Sequence, residues 1–191
     1  MGQYFKDRSI TSLPVKIVFL RMDCEPSQYI DLPQEYKLEH YKIVPLSLYR
    51  YVYNHVGQSY CWWMRKIISD AQLAKYFDNS LIEVYFLKNV EDNVIGFCEL
   101  DCRIGSSINI SYFGLMPRWI GKRIGRSFFS QVLKVAWAKN PENVRINTCE
   151  LDHPKALPLY LESGFKRIAN EVELWHIPQY LNLPVPDAIK L

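Results

Sequence analysis

No apolar run in this chain is long enough to cross a bilayer, which excludes a helical membrane span for every segment. The first residues carry charges among their hydrophobics and no continuous apolar stretch, so no secretory signal is expected. Met1-Gly2 is followed by Lys6 where an acylation signal wants Ser or Thr. There is no long basic run and the net charge of +3 is mild, so neither nucleic acid nor a membrane surface is an expected partner. The five cysteines are odd in number, and Cys98 and Cys102 are too far apart for a zinc knuckle. No metal is expected, and the thiols read as reduced and mostly buried in a cytoplasmic protein. No internal repeat and no low-complexity segment occurs.

What the chain does have is apolar content: 49% of 191 residues, enough for one sizeable core. A single domain over residues 1–191 is expected, with a core of about 14–176 and a proline-containing tail at 177–191 that packs as an arm or frays. Pro14–Met22 reads as a first strand, apolar on both faces, and Cys24–Lys42 as irregular, proline-punctuated chain. Leu46–Val56 has Leu48, Tyr49, Val52, Tyr53 and Val56 at helical spacing, with Gly57 as its stop. Ser69-Asp70 opens a second helix through Phe77. Ile82–Lys88, Val94–Arg103 and Ile108–Met116 read as successive antiparallel strands. The order then changes to helix, strand, helix, strand: Ile124–Lys139, Val144–Cys149, Pro154–Ser163 and Phe165–Trp175. An α/β chain in an α+β arrangement follows, with a mixed sheet between helices.

The stretch from Pro117 to Arg126 separates the two regimes. It is basic, holds Gly121 and Gly125, and leads into a helix striped by Ile124, Phe128, Val132, Val135 and Ala136. A helix start offers free N–H donors and a positive dipole end, which suit a diphosphate. Glycines let backbone approach such a ligand, and Lys122, Arg123 and Arg126 add cationic side chains. The turn lacks the Lys-Ser/Thr of a P-loop and the three-glycine spacing of a dinucleotide fold. An ordinary loop-to-helix join with surface basics is the competing reading.

These residues resemble the GCN5-related N-acetyltransferase (GNAT) superfamily, in wording closest to a bacterial subgroup. Its turn, Gln/Arg-x-x-Gly-x-Gly/Ala, falls here on Ile120 to Gly125, and its downstream Ala-x-x-x-Tyr-x-x-x-Gly-Phe is matched by Ala156, Tyr160, Gly164 and Phe165. The resemblance covers roughly Tyr49 to Phe165. It implies a mostly antiparallel sheet with coenzyme A in a V-shaped splay, acetyl-CoA as cosubstrate, and direct attack by a primary amine of a small molecule or peptide. It implies cofactor contacts at Phe113, Leu115, Met116, Gly121, Lys122, Arg123, Ile124, Gly125, Arg126 and His153. The chain departs from the pattern at Ile120, at Asn109 where the subgroup has Glu, and at Arg123 in place of the first glycine. A positive φ at Arg123 would cost on the order of 1 kcal/mol.

Such chemistry needs a proton donor for the departing thiolate and a group to relieve the amine of its proton. Tyr160 is the candidate acid, with a core aromatic as the competing reading. Glu99 and Asp101, which share a strand face with Phe97, are the candidate bases; a solvated strand face is the alternative. His153 is a second base candidate or a helix cap. Trp62 and Trp63 either border the acceptor pocket or belong to the core. A module that binds coenzyme A or a partner without turnover, and an enzyme using another acyl-CoA, are the competing functions. The acceptor is open, and a homodimer is among the assemblies left open.

Overall fold

The structure is a computed structural model in which residues 9–186 are described. The N-terminal residues weighed for acylation, and the last five of the proline-containing tail, lie outside the described residues. Seven strands form one sheet: β1 (Ile10–Met22), β2 (Tyr36–Tyr41), β3 (Ile82–Asn89), β4 (Val94–Ile104), β5 (Ser107–Leu115), β6 (Asn143–Cys149) and β7 (Lys166–Pro178). Their order across the sheet is β2-β3-β4-β5-β6-β1-β7. Every neighbouring pair is antiparallel except β5 and β6, which are parallel.

β1 explains its two apolar faces by its place: it lies inside the sheet, paired with β6 on one side and β7 on the other. Leu13, Val15, Ile17 and Phe19 face one cluster and Val18, Leu20 and Met22 the other, as strand alternation places them. β2 corrects the expectation of irregular chain over Cys24–Lys42. Tyr36, Leu38 and His40 alternate with Lys37, Glu39 and Tyr41, which is the period of a half-buried strand. His40 stacks on Tyr85 with ring centroids 4.7 Å apart, while Glu39 receives Lys88 at 3.0 Å.

Five helices cover the sheet: α1 (Leu46–Gly57), α2 (Met64–Ile67), α3 (Asp70–Phe77), α4 (Gly125–Trp137) and α5 (Ala156–Glu162). α1 and α3 pack Tyr49, Val52, Tyr53, Val56 and Leu73 against Val84, Phe86 and Phe97. α4 and α5 pack Phe128, Phe129, Val132 and Tyr160 on the opposite face. α3 is opened by a capping box in which Ser69 and Gln72 satisfy each other's backbone N–H. α1 ends at Gly57, where a Cβ would sit 2.4 Å from that of Trp62; the following turn can fold back only over a glycine. The described part of the tail packs as an arm: Leu181, Leu183 and Val185 lie on the cluster of Leu13, Val15 and Ile177.

Candidate active site

The parallel pairing of β5 and β6 is short. It runs from Ser107 opposite Asn143 to Ile110 opposite Ile146, and then the strands part. The cause lies in β5: Glu99 faces Tyr112 while Leu100 faces Ile110, so Ser111 is an extra residue, a β-bulge. The bulge also reverses the strand's parity. Ile108 and Ile110 before it, and Phe113 and Leu115 after it, all join the cluster under α4, while Tyr112 turns to the α1 side. Between the parted strands lies a cavity of about 820 Å³ that reaches from the glycine turn to the loop after α1.

At the turn, Pro117–Trp119 forms one 3-10 turn and α4 begins at Gly125, where among the described residues no side chain caps its first N–H groups. Gly121 has φ +83° and Arg123 has φ +63°. The left-handed conformation at Arg123 is therefore adopted, at a cost of about 1 kcal/mol relative to glycine. A Cβ at Gly125 would meet only Leu115, at 3.8 Å, and one at Gly121 would meet nothing within 4 Å. Both glycines thus leave space that no atom of the described residues fills.

The expected cofactor contacts separate into two groups. Phe113, Leu115, Gly121, Arg123, Gly125, Arg126 and His153 line the cavity. Lys122, Ile124 and Met116 do not: Lys122 lies over the Trp119 ring at 4.3 Å, Ile124 is buried under α4, and Met116 packs toward α1. Arg126 makes an ion pair with Glu162 of α5.

Tyr160 lines the cavity while its ring packs on Phe129 and Phe165. Burial, and then the nearby charge of Asp152, raise its hydroxyl well above the usual phenol range. Asp152 accepts from Trp62 Nε1 at 3.2 Å, Thr148 Oγ1 at 2.9 Å and the Cys149 backbone N–H at 3.0 Å. It therefore ties the loop after α1 to the end of β6 and does not cap a helix. α5 starts at Ala156, two residues later than expected, and His153 instead accepts the Lys155 N–H through Nδ1 at 3.1 Å. Cys149 also lines the cavity, but burial pushes its thiol up to about 12, so it is not a thiolate near neutrality. Burial likewise raises Cys98.

The far end of the cavity separates the two carboxylates by depth. Glu99 lies beneath α1 and α3 with 0% exposure and is not in the cavity wall. It accepts from Tyr49 Oη at 2.6 Å, Tyr76 Oη at 2.8 Å and Arg65 Nη2 at 2.6 Å. Asp101, one strand pleat further on, is in the wall. Its oxygens accept from Arg103 Nε at 2.9 Å and Nη2 at 2.6 Å, which hold its carboxyl below the usual carboxylate range. Asn109, Ser111, Tyr53, Tyr112, Trp62 and Trp63 complete this end. Arg65 and Arg103 were not singled out from the sequence; both pack on the Tyr76 ring, at 4.3 and 5.1 Å from its centroid.

A seven-stranded sheet that splits beside a glycine turn at a helix start is the architecture of acyl-CoA-dependent acyltransferases. The profile of the acetyltransferase (GNAT) domain matches residues 52–179, and the chain belongs to that family. Its fold supports acyl transfer from acyl-CoA. Among solved structures, it is similar to a GCN5-related N-acetyltransferase from Sphaerobacter thermophilus (14% identity, 88% of this chain and 53% of that one, TM-score 0.61). It is also similar to a tandem GNAT protein from the clavulanic acid biosynthesis pathway (12%, 86% and 53%, 0.59). A third is the dodecameric spermidine N-acetyltransferase from Vibrio cholerae (18%, 78% and 98%, 0.55). The chain spans about half the length of the first two, and at these identities the likeness is one of fold. A search of curated proteins returns no significant match. Among the described residues no helix is long and apolar enough to cross a membrane.

Proposed function

We propose that this protein transfers an acetyl group from acetyl-CoA to a primary amine by direct attack in a ternary complex. The observation that carries the reading is the cavity between β5 and β6, with an uncapped helix start at one end and Tyr160 on its wall. The residues fit the cosubstrate: Gly121 and Gly125 leave room for a pyrophosphate against backbone N–H groups, and Arg123 and Arg126 stand beside it. The edge of β5 beyond Ile110, unpaired by β6, suits the amides of a pantetheine arm in the manner of an added strand. Acetyl-CoA supplies the activated acyl carbonyl and a thiolate leaving group.

Tyr160 gives its hydroxyl proton to that thiolate. Burial keeps the phenol protonated, ready to donate its hydrogen bond to the developing thiolate, and also makes it a weaker acid. Asp101 receives the amine's proton, directly or through a water; its depressed basicity makes it a weak acceptor. The guanidiniums of Arg65 and Arg103 compensate, because a positive environment disfavours an ammonium and lowers the amine's own pKa. Glu99 acts as a positioning residue: it fixes Arg65 and takes no proton from the acceptor.

The test is release of free thiol from acetyl-CoA in the presence of an amine panel, with coenzyme A binding measured separately. Thiol release that falls in Tyr160→Phe while coenzyme A still binds is the expected result. Binding without turnover, indifferent to Tyr160→Phe, would mark a non-catalytic binding module.

A further inference from the structure

We infer that the acceptor amine carries a carboxylate, held by Arg65 and Arg103 at the end of the cavity away from the glycine turn. The inference rests on the acyl-transfer reading and names the substrate class of the same site.

The argument is one of unspent donors. A guanidinium has five N–H donors in a fixed fork. Arg65 gives Nη2 to Glu99, and Arg103 gives Nε and Nη2 to Asp101. Among the described residues neither Nη1 makes a hydrogen bond to protein, that of Arg103 on a side chain 43% exposed, and Arg65 Nε is buried without a partner. Both residues line the cavity. The carboxylates that might use these donors are committed elsewhere. Glu99 lies behind the wall with three donors on its two oxygens, and Asp101 has both oxygens on Arg103. Asn109 gives its amide to Ser111 at 3.1 Å and adds no charge. Asp152 is held by three donors of its own, and Glu173, on β7, accepts from Trp175. Among the described residues a purely cationic acceptor would therefore meet two guanidiniums and only carboxylates already held by other donors at this end.

Arg65 is also held in advance. Arg50 Nη1 binds its carbonyl at 2.9 Å, Nη2 binds that of Ile68 at 2.8 Å, and Nε pairs with Asp70 at 2.6 Å. Tyr53 Oη accepts the Arg65 N–H at 3.3 Å, and the guanidinium lies on the rings of Tyr76 and Tyr112. A cation fixed by backbone, carboxylate and two rings loses little freedom when it meets an anion, which is the arrangement expected of a recognition group. Tyr53, Trp62 and Tyr112 provide an apolar wall beside it.

The test titrates the full chain, with coenzyme A present, with acetate, butyrate and 3-phenylpropanoate, each against its neutral amide. At least one acid is expected to bind about tenfold more tightly than its amide, as a charge-assisted pair should. That preference is expected to disappear in Arg103→Gln, whose coenzyme A affinity serves as the control for folding. Equal binding of acids and amides, or no binding of any acid, overturns the inference. Thiol release with phenylalanine, phenylalaninamide and phenethylamine separates the two levels. Turnover of phenethylamine in preference to phenylalanine keeps acyl transfer and sinks the carboxylate. Acid-selective binding with no turnover of any amine keeps the carboxylate site and sinks acyl transfer.

Discussion

Replacing Gly125 by glutamate should move stability and coenzyme A binding in opposite directions. Gly125 opens α4, and a Cβ there meets only Leu115 at 3.8 Å, so the substitution creates no clash. Glutamate is a better helix former than glycine by roughly 0.5–1 kcal/mol, and a carboxylate in the first turn gains about 0.3–1 kcal/mol from the helix dipole. Together these predict a melting temperature unchanged or raised by about 3 °C for a chain of this length. The same carboxylate stands where the pyrophosphate is proposed to lie. Two unit charges about 4 Å apart repel by about 4 kcal/mol at an effective dielectric constant near 20. At 1.4 kcal/mol per tenfold change, the dissociation constant should rise by about 10³ or more. Calorimetric titration with coenzyme A and a thermal melt read the two quantities on one sample. Gly125→Ala is the control, expected to keep the stability gain and lose no more than about tenfold in affinity. Wild-type affinity in a folded Gly125→Glu protein would refute the assignment of the turn.

Four further outcomes follow from the site. Tyr160→Phe should lower kcat by about 10² or more and leave coenzyme A affinity and the urea unfolding midpoint nearly unchanged, since among the described residues the hydroxyl has no hydrogen-bond partner and the ring stays between Phe129 and Phe165. Because burial raises that phenol, the acid form persists as pH rises, and the pH–kcat profile should show no loss attributable to Tyr160 up to about pH 10. Glu99→Leu should destabilise by about 3–5 kcal/mol in denaturant unfolding, because Arg65 would be left largely buried without its counter-charge. Asp101 has a folded-state pKa below its unfolded value, so its pair with Arg103 stabilises above about pH 4 and is lost as pH falls through the folded value. The stability penalty of Asp101→Asn should accordingly be constant from about pH 5 to 8 and shrink in more acidic buffer.

Local signals made much of the architecture readable. The stripe on α4, the capping box at Ser69 and the antiparallel run of β3, β4 and β5 are contained in their own residues. β2 was missed although Tyr36, Leu38 and His40 alternate correctly, because Pro26 and Pro33 colour the whole segment as loop and the strand's partner lies some 45 residues downstream. The bulge at Ser111 had a signal: apolar residues fall on even positions through Ile110 and on odd ones from Phe113. Read that way, the parity change marks where the sheet opens. Glu99 and Asp101 do share a face, but alternation says nothing of depth, and only the helices above decide that one is sealed and the other reaches the cavity. Arg65 and Arg103 carry no local pattern; their meeting on Tyr76 is a product of tertiary packing.

The position of β1 bears on how the molecule is made. Ile10 lies across from Pro178 and Met22 across from Val144, so a segment that leaves the ribosome early must wait for partners more than a hundred residues behind it. Until then an apolar strand has no neighbour on either edge, which makes delayed closure and nascent-chain aggregation the hazards of this topology. The same adjacency brings the start of β1 beside the end of β7. A permuted gene that joins these ends and places β1 directly after β7 would turn the longest-range pairing in the sheet into a hairpin.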